Sequence, residues 1–310
     1  MLARRVLDEP VLLFRGTQGA ADALIDRCPH HFAPLSRGRG DGGNIVCGYH
    51  GFVFDGRGAC VHDPHGVALK SLAVRSLLLR DADRALWIWM GDREQGQSGA
   101  PPDLAFIDDA PDTAFSKGYV RARAHYQLFV DNILDLTHAD FLHPDTLGGG
   151  AFTRARARVI VRGTSIGVHW LNPDELPSPL MASVRGSDGR VDSWTEVDWY
   201  PASVLALRSG AVQAGTSCEM SGNVSNLHIL TPETATTTHY FYAHTRDFAV
   251  DDDALNERIA ATRDQIFATE DKPMVEAQQE RMEGSSFGSL GPVLLRIDEG
   301  IVRVHRRLKR

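Results

Sequence analysis

Cysteine is scarce in this chain of 310 residues, which has only Cys28, Cys47, Cys60 and Cys218. Four scattered thiols are too few for a disulfide framework. In a reducing compartment, cysteines that occur together with histidines indicate a metal site instead. Long apolar runs are also missing, because no stretch approaches the roughly 18 residues that span a bilayer. The apolar N-terminal stretch is interrupted at residues 8–10, which argues against a signal peptide, so we expect a cytoplasmic protein.

Positive charge is not in excess either, because 33 Lys and Arg residues against 40 Asp and Glu residues give a net charge of −7. Nucleic acids and anionic membranes attract basic surfaces, so we expect neither as a partner. What the chain does have is an ordinary globular composition, with 43% hydrophobic and 24% charged residues. Its length is enough for a large core and predicts two domains.

The N-terminal part of the chain contains short apolar runs separated by glycine-rich breaks. Residues 1–92 therefore predict a small all-β domain, whose clearest strands are at 11–14, 44–46 and 85–90. The next segment, residues 93–106, begins polar and rich in Gly and Pro, which is typical of a linker.

Residues 107–310 mix helical and strand periodicity, so the predicted fold class of the whole chain is α+β. Helical segments are predicted at 128–139 and 252–282. Strands are predicted at 159–170, 193–199, 204–207, 227–230 and 237–243.

Two short motifs near the N-terminus each contain one cysteine and one histidine. They read CPH at residues 28–30 and CGYH at residues 47–50, with sixteen residues between them. Two thiolates and two imidazoles suit either a structural zinc site or a Rieske 2Fe-2S cluster. Zinc sites usually pair like ligands within one local turn, whereas here each loop offers both kinds and can reach both irons. This interleaving favours a Rieske cluster bound by Cys28, His30, Cys47 and His50.

Other side chains near these motifs have less defined roles. The hydroxyl of Tyr49 could donate a hydrogen bond to a cluster sulfur and tune its reduction potential. The ring could equally pack on the loop, and the sequence leaves both alternatives open. His31, His62 and His65 fit no ligand position, so we expect them at the surface or in packing contacts.

A second group of metal ligands is predicted in the stretch VDNILDLTHADFLHPD, residues 130–145. Asp135 and His138 are three residues apart and would share one face of a helix. His143 comes five residues after His138, but Pro144 disfavours the α region for the residue before it, so His143 can turn back toward His138. Two histidines suit a 2-His-1-carboxylate site for Fe(II). From spacing alone, both could equally be core histidines.

The predicted carboxylate of that site is Asp271, in the stretch EDKPMVEAQQ at residues 270–279. Pro273 is incompatible with a continuous helix, because its ring clashes with the carbonyl four residues earlier. A break near residues 269–272 would turn Asp271 inward. Charged helix residues usually face solvent, so spacing alone leaves this assignment open as well.

Together, these motifs resemble the oxygenase component of the vanillate O-demethylase group of Rieske oxygenases, over nearly the whole chain. The matching stretches are RCPHHFAPLS, CGYHGFVFD, GACVHDPHG, VDNILDLTHADFLHPDTLG, HILTPETATTTHYFYA and EDKPMVEAQQ. The chain departs from the group in beginning unusually close to its LDEPV stretch, from which we expect either a shortened gene model or a truncated N-terminal domain. It also has His31 where the group usually has arginine.

By position, the resemblance implies two iron centres. One 2Fe-2S cluster would be held by Cys28, His30, Cys47 and His50, and one mononuclear Fe(II) by His138, His143 and Asp271. Asp135 would bridge a cluster histidine of one subunit to His138 of its neighbour. Asn132 would lie beside the iron near the O2 site, and His228 would face the substrate pocket.

The resemblance also implies a fold for each part of the chain. Residues 1–92 would form an all-β Rieske domain, and residues 93–106 a linker. Residues 107–310 would form a catalytic domain of the helix-grip type (Bet v 1-like or START-like) with a curved antiparallel sheet.

The activity implied is that of a monooxygenase that hydroxylates the methyl group of an aromatic ether, after which the hemiacetal loses formaldehyde. The substrate would be a methoxylated, vanillate-like aromatic acid, used with O2 and with electrons from a separate NAD(P)H-dependent reductase or a ferredoxin. A head-to-tail homotrimer is implied as well, because the two metals of one chain are too far apart in this family for direct electron transfer.

Two kinds of alternative remain open on the sequence. A Rieske ferredoxin fused to a binding domain would be a pure electron carrier, with no use for His138, His143 and Asp271. A ring dihydroxylase or an N-demethylase would use the same metal ligands. No motif in the strands between residues 160 and 245 identifies the substrate.

Overall fold

The computed structural model describes residues 1–66, 70–99, 101–201, 203–216 and 223–309. The chain divides into two compact units. Unit 1 contains Met1–Asp103 and Glu233–Ala235, and unit 2 contains Leu104–Pro232 and Thr236–Arg310. Within the described ranges, no helix is long and apolar enough to cross a membrane.

Unit 1 is built from two antiparallel sheets, with strand orders β1-β2-β3-β8-β9 and β4-β5-β6-β7. The strands are β1 (Leu2–Val6), β2 (Glu9–Arg15), β3 (Ala21–Ile25), β4 (Arg39–Asp41), β5 (Asn44–Val46), β6 (Val53–Phe54), β7 (Cys60–His62), β8 (Ser76–Ala82) and β9 (Ala85–Trp89). The three strands predicted here correspond to β2, β5 and β9. A short helix, α1 (Arg93–Ser98), begins the segment predicted to be a linker.

One apolar core joins the two sheets of unit 1. Leu12 and Leu24 of the first sheet and Ile45 and Phe54 of the second are fully buried, in one cluster with the cysteines that follow β3 and β5. This core therefore fixes the starting points of the two cysteine loops.

The hairpin between β4 and β5 shows why the glycine-rich break is needed. Gly42 and Gly43 form its two-residue turn and have φ angles of 57° and 89°. Two successive positive φ angles define a type I′ turn, which matches the twist of the flanking strands. A Cβ on Gly43 would also lie 2.2 Å from the backbone nitrogen of Thr17, so a side chain is excluded there.

Unit 2 contains a curved seven-stranded antiparallel sheet with strand order β10-β16-β15-β14-β13-β12-β11. The strands are β10 (Phe115–Ala122), β11 (Arg158–Arg162), β12 (Ser165–Glu175), β13 (Val191–Tyr200), β14 (Val204–Gln213), β15 (Asn223–Thr234) and β16 (Thr237–Arg246). The helices are α2 (Ala105–Asp108), α3 (Tyr126–Leu134), α4 (Ala139–Leu142), α5 (Ala151–Arg154), α6 (Pro179–Arg185), α7 (Asp253–Ile266), α8 (Lys272–Arg281) and α9 (Glu299–Leu308).

Alternate residues of the strands form the core of unit 2 together with three helices. Trp199 of β13 and Tyr240 of β16 are buried in one cluster with Phe129 of α3, Val275 of α8 and Val304 of α9. A helix-covered antiparallel sheet in unit 2 and a mainly β unit 1 confirm the α+β fold class.

The helix predicted at 128–139 is interrupted, so that part of the prediction is wrong. Helix α3 ends at Leu134, and Leu136–His138 forms a separate 3-10 turn before α4. The cause is Asp135, whose Oδ1 accepts hydrogen bonds from Thr137 N at 3.0 Å and Thr137 Oγ1 at 2.7 Å. A short acidic side chain that bonds its own backbone in this way starts a new turn.

The helical segment predicted at 252–282 changes its winding in the middle. Helix α7 continues into a π-helical turn at Phe267–Asp271, and α8 follows. The predicted break is therefore a wider turn rather than an interruption. Its altered hydrogen-bond register accommodates Pro273, which lies in the first turn of α8.

Candidate metal centres

The two Cys-His loops of unit 1 have the same backbone design. In the first, Cys28 N donates to the carbonyl five residues ahead (2.8 Å) and the nitrogen of Phe32 donates back to Cys28 O (2.9 Å). In the second, Cys47 N and Cys47 O make the equivalent bonds, at 2.8 and 3.1 Å. The fourth residue after each cysteine has a positive φ angle, 61° at Phe32 and 78° at Gly51. Two matched loops can therefore hold one cofactor between them.

The structure brings the four predicted cluster ligands together, with the two cysteine thiols buried and the two imidazoles nearer the surface. Cys28 and Cys47 are 1% and 2% exposed, and burial together with the neighbouring Cys47 thiol raises the pKa of Cys28. His30 and His50 lie farther out, with their Nδ1 atoms 3.2 Å apart. Two adjacent buried thiols and two adjacent imidazoles fit a cluster in which cysteines bind one iron and histidines the other.

The residues around the cluster ligands occupy more exposed positions. Tyr49 is 66% exposed and its ring centroid lies 3.9 Å from that of His50. This arrangement agrees with a ring that packs on the loop. His65 approaches from the next loop, with Nε2 3.2 Å from His50 O.

In unit 2, His138, His143 and Asp271 offer one ligand atom each within 4.8 Å of one another. Asp271 Oδ1 lies 3.1 Å from His143 Nε2 and 3.6 Å from His138 Nε2. Burial alone would raise the pKa of Asp271, but hydrogen bonds from the two histidines lower it to about 2. The carboxylate is therefore ionised, as a metal ligand must be.

Local backbone structure directs both histidines at Asp271. His138 ends the 3-10 turn, and its Nδ1 lies 2.5 Å from the main-chain oxygen of Asp135. His143 follows α4 with φ −122° and ψ 45°, outside the α region, as Pro144 predicts. Its Nδ1 lies 2.6 Å from Glu270 Oε2. Because both Nδ1 atoms are engaged, the two Nε2 atoms can bind a metal in place of their contacts with Asp271 Oδ1, so this donor set fits Fe(II).

Asn132 also lies at this centre. Its Nδ2 donates to Asp271 Oδ1 at 3.3 Å and is 3.3 Å from His138 Nε2. Asp135 is close in sequence, but only its main chain contacts His138. Its carboxylate caps the following turn, and within the described residues Oδ2 has no hydrogen-bond partner.

His228 is buried on β15, where its Nδ1 lies 2.8 Å from Tyr240 Oη. Its ring centroid is 5.8 Å from that of Phe267, in the π-helical turn that ends at Asp271. Burial lowers the pKa of His228 to about 4, despite the nearby Asp271 carboxylate, so the ring is neutral. Its Nε2 is buried and has no partner among the described residues.

Three functional residues were not found from the sequence. The Glu270 carboxylate contacts the His143 imidazole on the side away from Asp271, whereas the sequence analysis identifies only the neighbouring Asp271. Glu276 Oε1 accepts from Arg123 N, and Gln279 Oε1 accepts from His125 N, both at 2.8 Å. These last two bonds tie α8, which follows Asp271, to the segment that leads into α3. The only signal for them was their place in the EDKPMVEAQQ stretch.

One unit of the chain has two thiolates and two imidazoles, and the other has two histidines and a carboxylate. This combination is typical of Rieske-type non-haem iron oxygenases. Residues 1–73 match the Rieske [2Fe-2S] domain, and residues 122–310 match the Vanillate O-demethylase oxygenase C-terminal domain. The chain belongs to this vanillate O-demethylase family of Rieske oxygenases.

Curated relatives cover the whole chain. The oxygenase component of dicamba O-demethylase from Stenotrophomonas maltophilia is 38% identical over 313 residues, which include 100% of this chain and 92% of the relative. The oxygenase component of chloroacetanilide N-alkylformylase from Rhizorhabdus wittichii is 37% identical, with 100% and 90% covered. A vanillate O-demethylase oxygenase subunit from Pseudomonas sp. is 29% identical, with 100% and 89% covered.

A solved structure is similar over the same extent. Dicamba monooxygenase bound to 3,6-dichlorosalicylic acid superposes with a TM-score of 0.93 at 38% identity, covering 99% of this chain and 91% of the other. The protein is accordingly the oxygenase component of a Rieske non-haem iron monooxygenase, with a 2Fe-2S cluster and a mononuclear iron as its cofactors. These matches decide against the zinc site and the pure electron carrier.

Proposed function

We propose that the protein removes the methyl group of a methoxylated aromatic acid. One oxygen atom of O2 enters the methyl group, the hemiacetal releases formaldehyde, and the other oxygen leaves as water. The two electrons come from a separate NAD(P)H-dependent reductase or a ferredoxin. The observation that carries the proposal is the unpartnered Nε2 of the buried His228, on the element that packs against the turn of Asp271.

In this proposal, His138, His143 and Asp271 bind Fe(II), which supplies O2 activation when bound. Cys28 and Cys47 bind one iron of the cluster, and His30 and His50 bind the other. Asn132 holds Asp271 in place, because its amide donates to the same Oδ1 atom that faces both histidines. Glu270 holds His143 from the opposite side of the ring. Metal-bound histidines commonly need such an outer partner to fix their tautomer.

The side chain of His228 favours a substrate with an acceptor oxygen. Burial raises the pKa of Tyr240 well above its usual 10, so the phenol keeps its proton and can donate it to His228 Nδ1. A neutral imidazole that accepts at Nδ1 has its own proton at Nε2. A buried donor without a partner costs roughly 1–3 kcal/mol, which a carboxylate or phenolic oxygen of the substrate would relieve.

Electron transfer in the proposal crosses a subunit boundary in a head-to-tail homotrimer. Asp135 is suited to the bridging role because its Oδ1 is used within the chain while Oδ2 is available. The exposed imidazole of His30 and the half-buried imidazole of His50 can present their Nε2 atoms to a neighbouring chain. We also propose a Rieske domain at 1–92, a linker at 93–106, a catalytic domain at 107–310, and a cytoplasmic location, where NAD(P)H is available.

The test of the proposed function is formaldehyde release with a surrogate reductase. Methoxybenzoates that differ in the position of the methoxy group are compared with methoxybenzenes that lack the carboxylate. We expect release from the acids and little from the neutral ethers, and a loss of this preference in His228→Leu. Activity that is confined to N-methylated substrates would reject O-demethylation in favour of N-demethylation. A ring diol without formaldehyde would identify a dihydroxylase.

A further inference from the structure

Buried polar side chains continue along the inner face of the sheet in unit 2, beyond His228. Strand β16 pairs with β10 in an unbroken register, so alternate residues of β16 share one face. Tyr240 and Tyr242 belong to the core cluster, and His244, the next residue on that face, is only 2% exposed. His244 therefore points into the interior of unit 2, where the proposed function gives it no role.

His244 and His228 are neighbours on adjacent strands. Asp247 N donates to Asn223 O. Three residues inward from this pair, Asn226 of β15 lies opposite His244, and their side chains meet, with His244 Nδ1 3.0 Å from Asn226 Oδ1. His228 is two residues beyond Asn226 on the same face, which makes it the diagonal neighbour of His244, at a spacing of ~7–8 Å. One small molecule can thus contact both imidazoles.

The two imidazoles present opposite hydrogen-bonding groups. The Asn226 oxygen can only accept, so His244 carries its proton on Nδ1 and leaves Nε2 as an acceptor. Burial and the nearby Arg263 and Arg246 lower the pKa of His244 to about 3, so the ring is neutral. His228, whose Nδ1 accepts from a tyrosine, has a donor at Nε2 instead.

The acceptor atom of His244 is not used within the described part of the chain. Its Nε2 is buried and has no hydrogen-bond partner there. The nearby Arg263 pairs with Asp264 at 2.8 Å. The terminal nitrogens of Arg246 bond Asn256 and two main-chain oxygens. A buried acceptor that lacks a donor has lost its hydration without compensation, and an O–H or N–H group of a bound molecule would restore the missing bond.

His244 also lies on the side of His228 that faces away from the mononuclear site. Three rings surround Phe267, in the π-helical turn that bears the metal-binding carboxylate. They belong to His228, Tyr240 and Tyr242, with centroids 5.8, 5.3 and 4.7 Å from that of Phe267. His244 is one step of ~7 Å beyond Tyr242 along the strand. A substrate whose methoxy group lies at the metal site would therefore present the far side of its ring to His244.

We propose that His244 is a second specificity-determining residue of the substrate site, and that it selects a ring substituent with a hydrogen-bond donor, a hydroxyl or an amino group. The substituent donates to Nε2, while Asn226 holds the tautomer that keeps this atom unprotonated. Such a site discriminates against analogues that lack the donor, because its own polar atom is then left unpaired. The inference deepens the proposed function and rests on it for the aromatic acid and its methoxy group.

The experiment measures binding to the holoenzyme by calorimetry without reductant, so that no turnover occurs. The probes are 3-methoxybenzoate and its derivatives with a hydroxyl, amino or methoxy group para or meta to the carboxylate. At one of these positions, we expect the hydroxy or amino derivative to bind about tenfold more tightly than both the parent and the methoxy derivative. His244→Phe should abolish this preference and should bind the parent as the wild type does.

Asn226→Leu separates recognition by His244 from a purely structural role. Without the amide oxygen, the neutral imidazole is free to carry its proton on Nε2. The preference for a donor over the methoxy derivative should therefore fall in this variant. The matched control is His239→Phe, which replaces a buried histidine on the opposite face of the same strand. It should keep the wild-type preference.

Equal affinities of the wild type for all probes, an unchanged preference in His244→Phe, or a loss of preference in His239→Phe would each overturn the inference. Failure of the proposed function has a different signature. Donor-dependent binding without formaldehyde release, once the reductase is added, rejects demethylation and keeps the role of His244. Formaldehyde release from 3-methoxybenzoate without any donor preference keeps demethylation and rejects that role.

Discussion

Glu270 and Asp271 are neighbours in the sequence, yet they contact opposite nitrogens of the same imidazole. Glu270 Oε2 lies 2.6 Å from His143 Nδ1, and Asp271 Oδ1 lies 3.1 Å from His143 Nε2. In a regular α-helix, consecutive side chains point about 100° apart around the axis. The π-helical turn Phe267–Asp271 changes that angle, and such turns occur frequently at functional sites. The wider turn is therefore what lets one helix supply both carboxylates.

Glu270→Gln should weaken Fe(II) binding about tenfold to a hundredfold while the cluster remains intact. The amide keeps an oxygen near His143 Nδ1 but loses the negative charge that fixes the tautomer. The measurement is an Fe(II) titration of the metal-depleted mononuclear site, with the cluster absorbance as internal reference. Glu280→Gln, an exposed position on α8, is the control. Equal Fe(II) affinities of Glu270→Gln and wild type would show that Glu270 does not position His143.

Cys47→Ser should abolish the visible spectrum of the Rieske cluster, because a serine oxygen replaces a soft thiolate poorly on iron. Cys60→Ser is the matched control, since this thiol is only partly buried and bonds to the His62 carbonyl instead. The spectrum of Cys60→Ser should match that of the wild type. A Cys47→Ser protein with a full spectrum and full iron content would refute the cluster assignment.

Asp135→Asn should leave both metal centres loaded but slow electron transfer to the mononuclear iron about tenfold to a hundredfold. The asparagine oxygen can still accept from Thr137, so the local turn is kept. Its NH2 group, however, replaces the charged acceptor that would meet the neighbour's imidazole. Single-turnover oxidation of the pre-reduced cluster measures the step, with the exposed Asp145→Asn as control. A wild-type electron-transfer rate in Asp135→Asn would show that Asp135 does not bridge the two metal centres.

His244→Gln should make the protein less sensitive to acid. Burial and the nearby Arg263 and Arg246 lower the pKa of His244 from 6.5 to about 3. The unfolded chain therefore binds a proton that the folded chain does not, and the free energy of unfolding decreases as the pH falls below 6.5. Protonation of His244 in the unfolded chain should lower the free energy of unfolding by about 2 kcal/mol when the pH falls from 7 to 5. Urea unfolding at both pH values measures it, and an equal pH dependence in wild type and His244→Gln would contradict the expectation.

The sequence singles out residues that the structure brings together because their signals are local. The interleaved cysteines and histidines lie in two short loops, and a proline directly after His143 explains its backbone conformation. The strand predicted at 193–199 lies within β13, whose residues alternate between buried and half-buried positions up to Val197. The single strand predicted at 159–170 is wrong, because the chain turns between β11 and β12. These features depend on only a few neighbouring residues.

What the sequence missed depends on tertiary contacts or on subtle changes in winding. The end of α3 at Leu134 results from one capping bond of Asp135, which competes with an otherwise good helical pattern. The role of Glu270 depends on a π-helical turn, for which sequence periodicity gives no signal. The link from Glu276 to Arg123 joins residues 153 positions apart, so only the folded chain reveals it.

The central claim is that Asp271 completes a mononuclear iron site separate from the cluster. The most direct test is iron content per chain together with cluster absorbance, for wild type, Asp271→Ala and the exposed-carboxylate control Asp264→Ala. The wild type and the control should contain two irons in the cluster and one in the mononuclear site. Asp271→Ala should lose the mononuclear iron and keep the full cluster absorbance. Full iron content and full activity in Asp271→Ala would contradict the account.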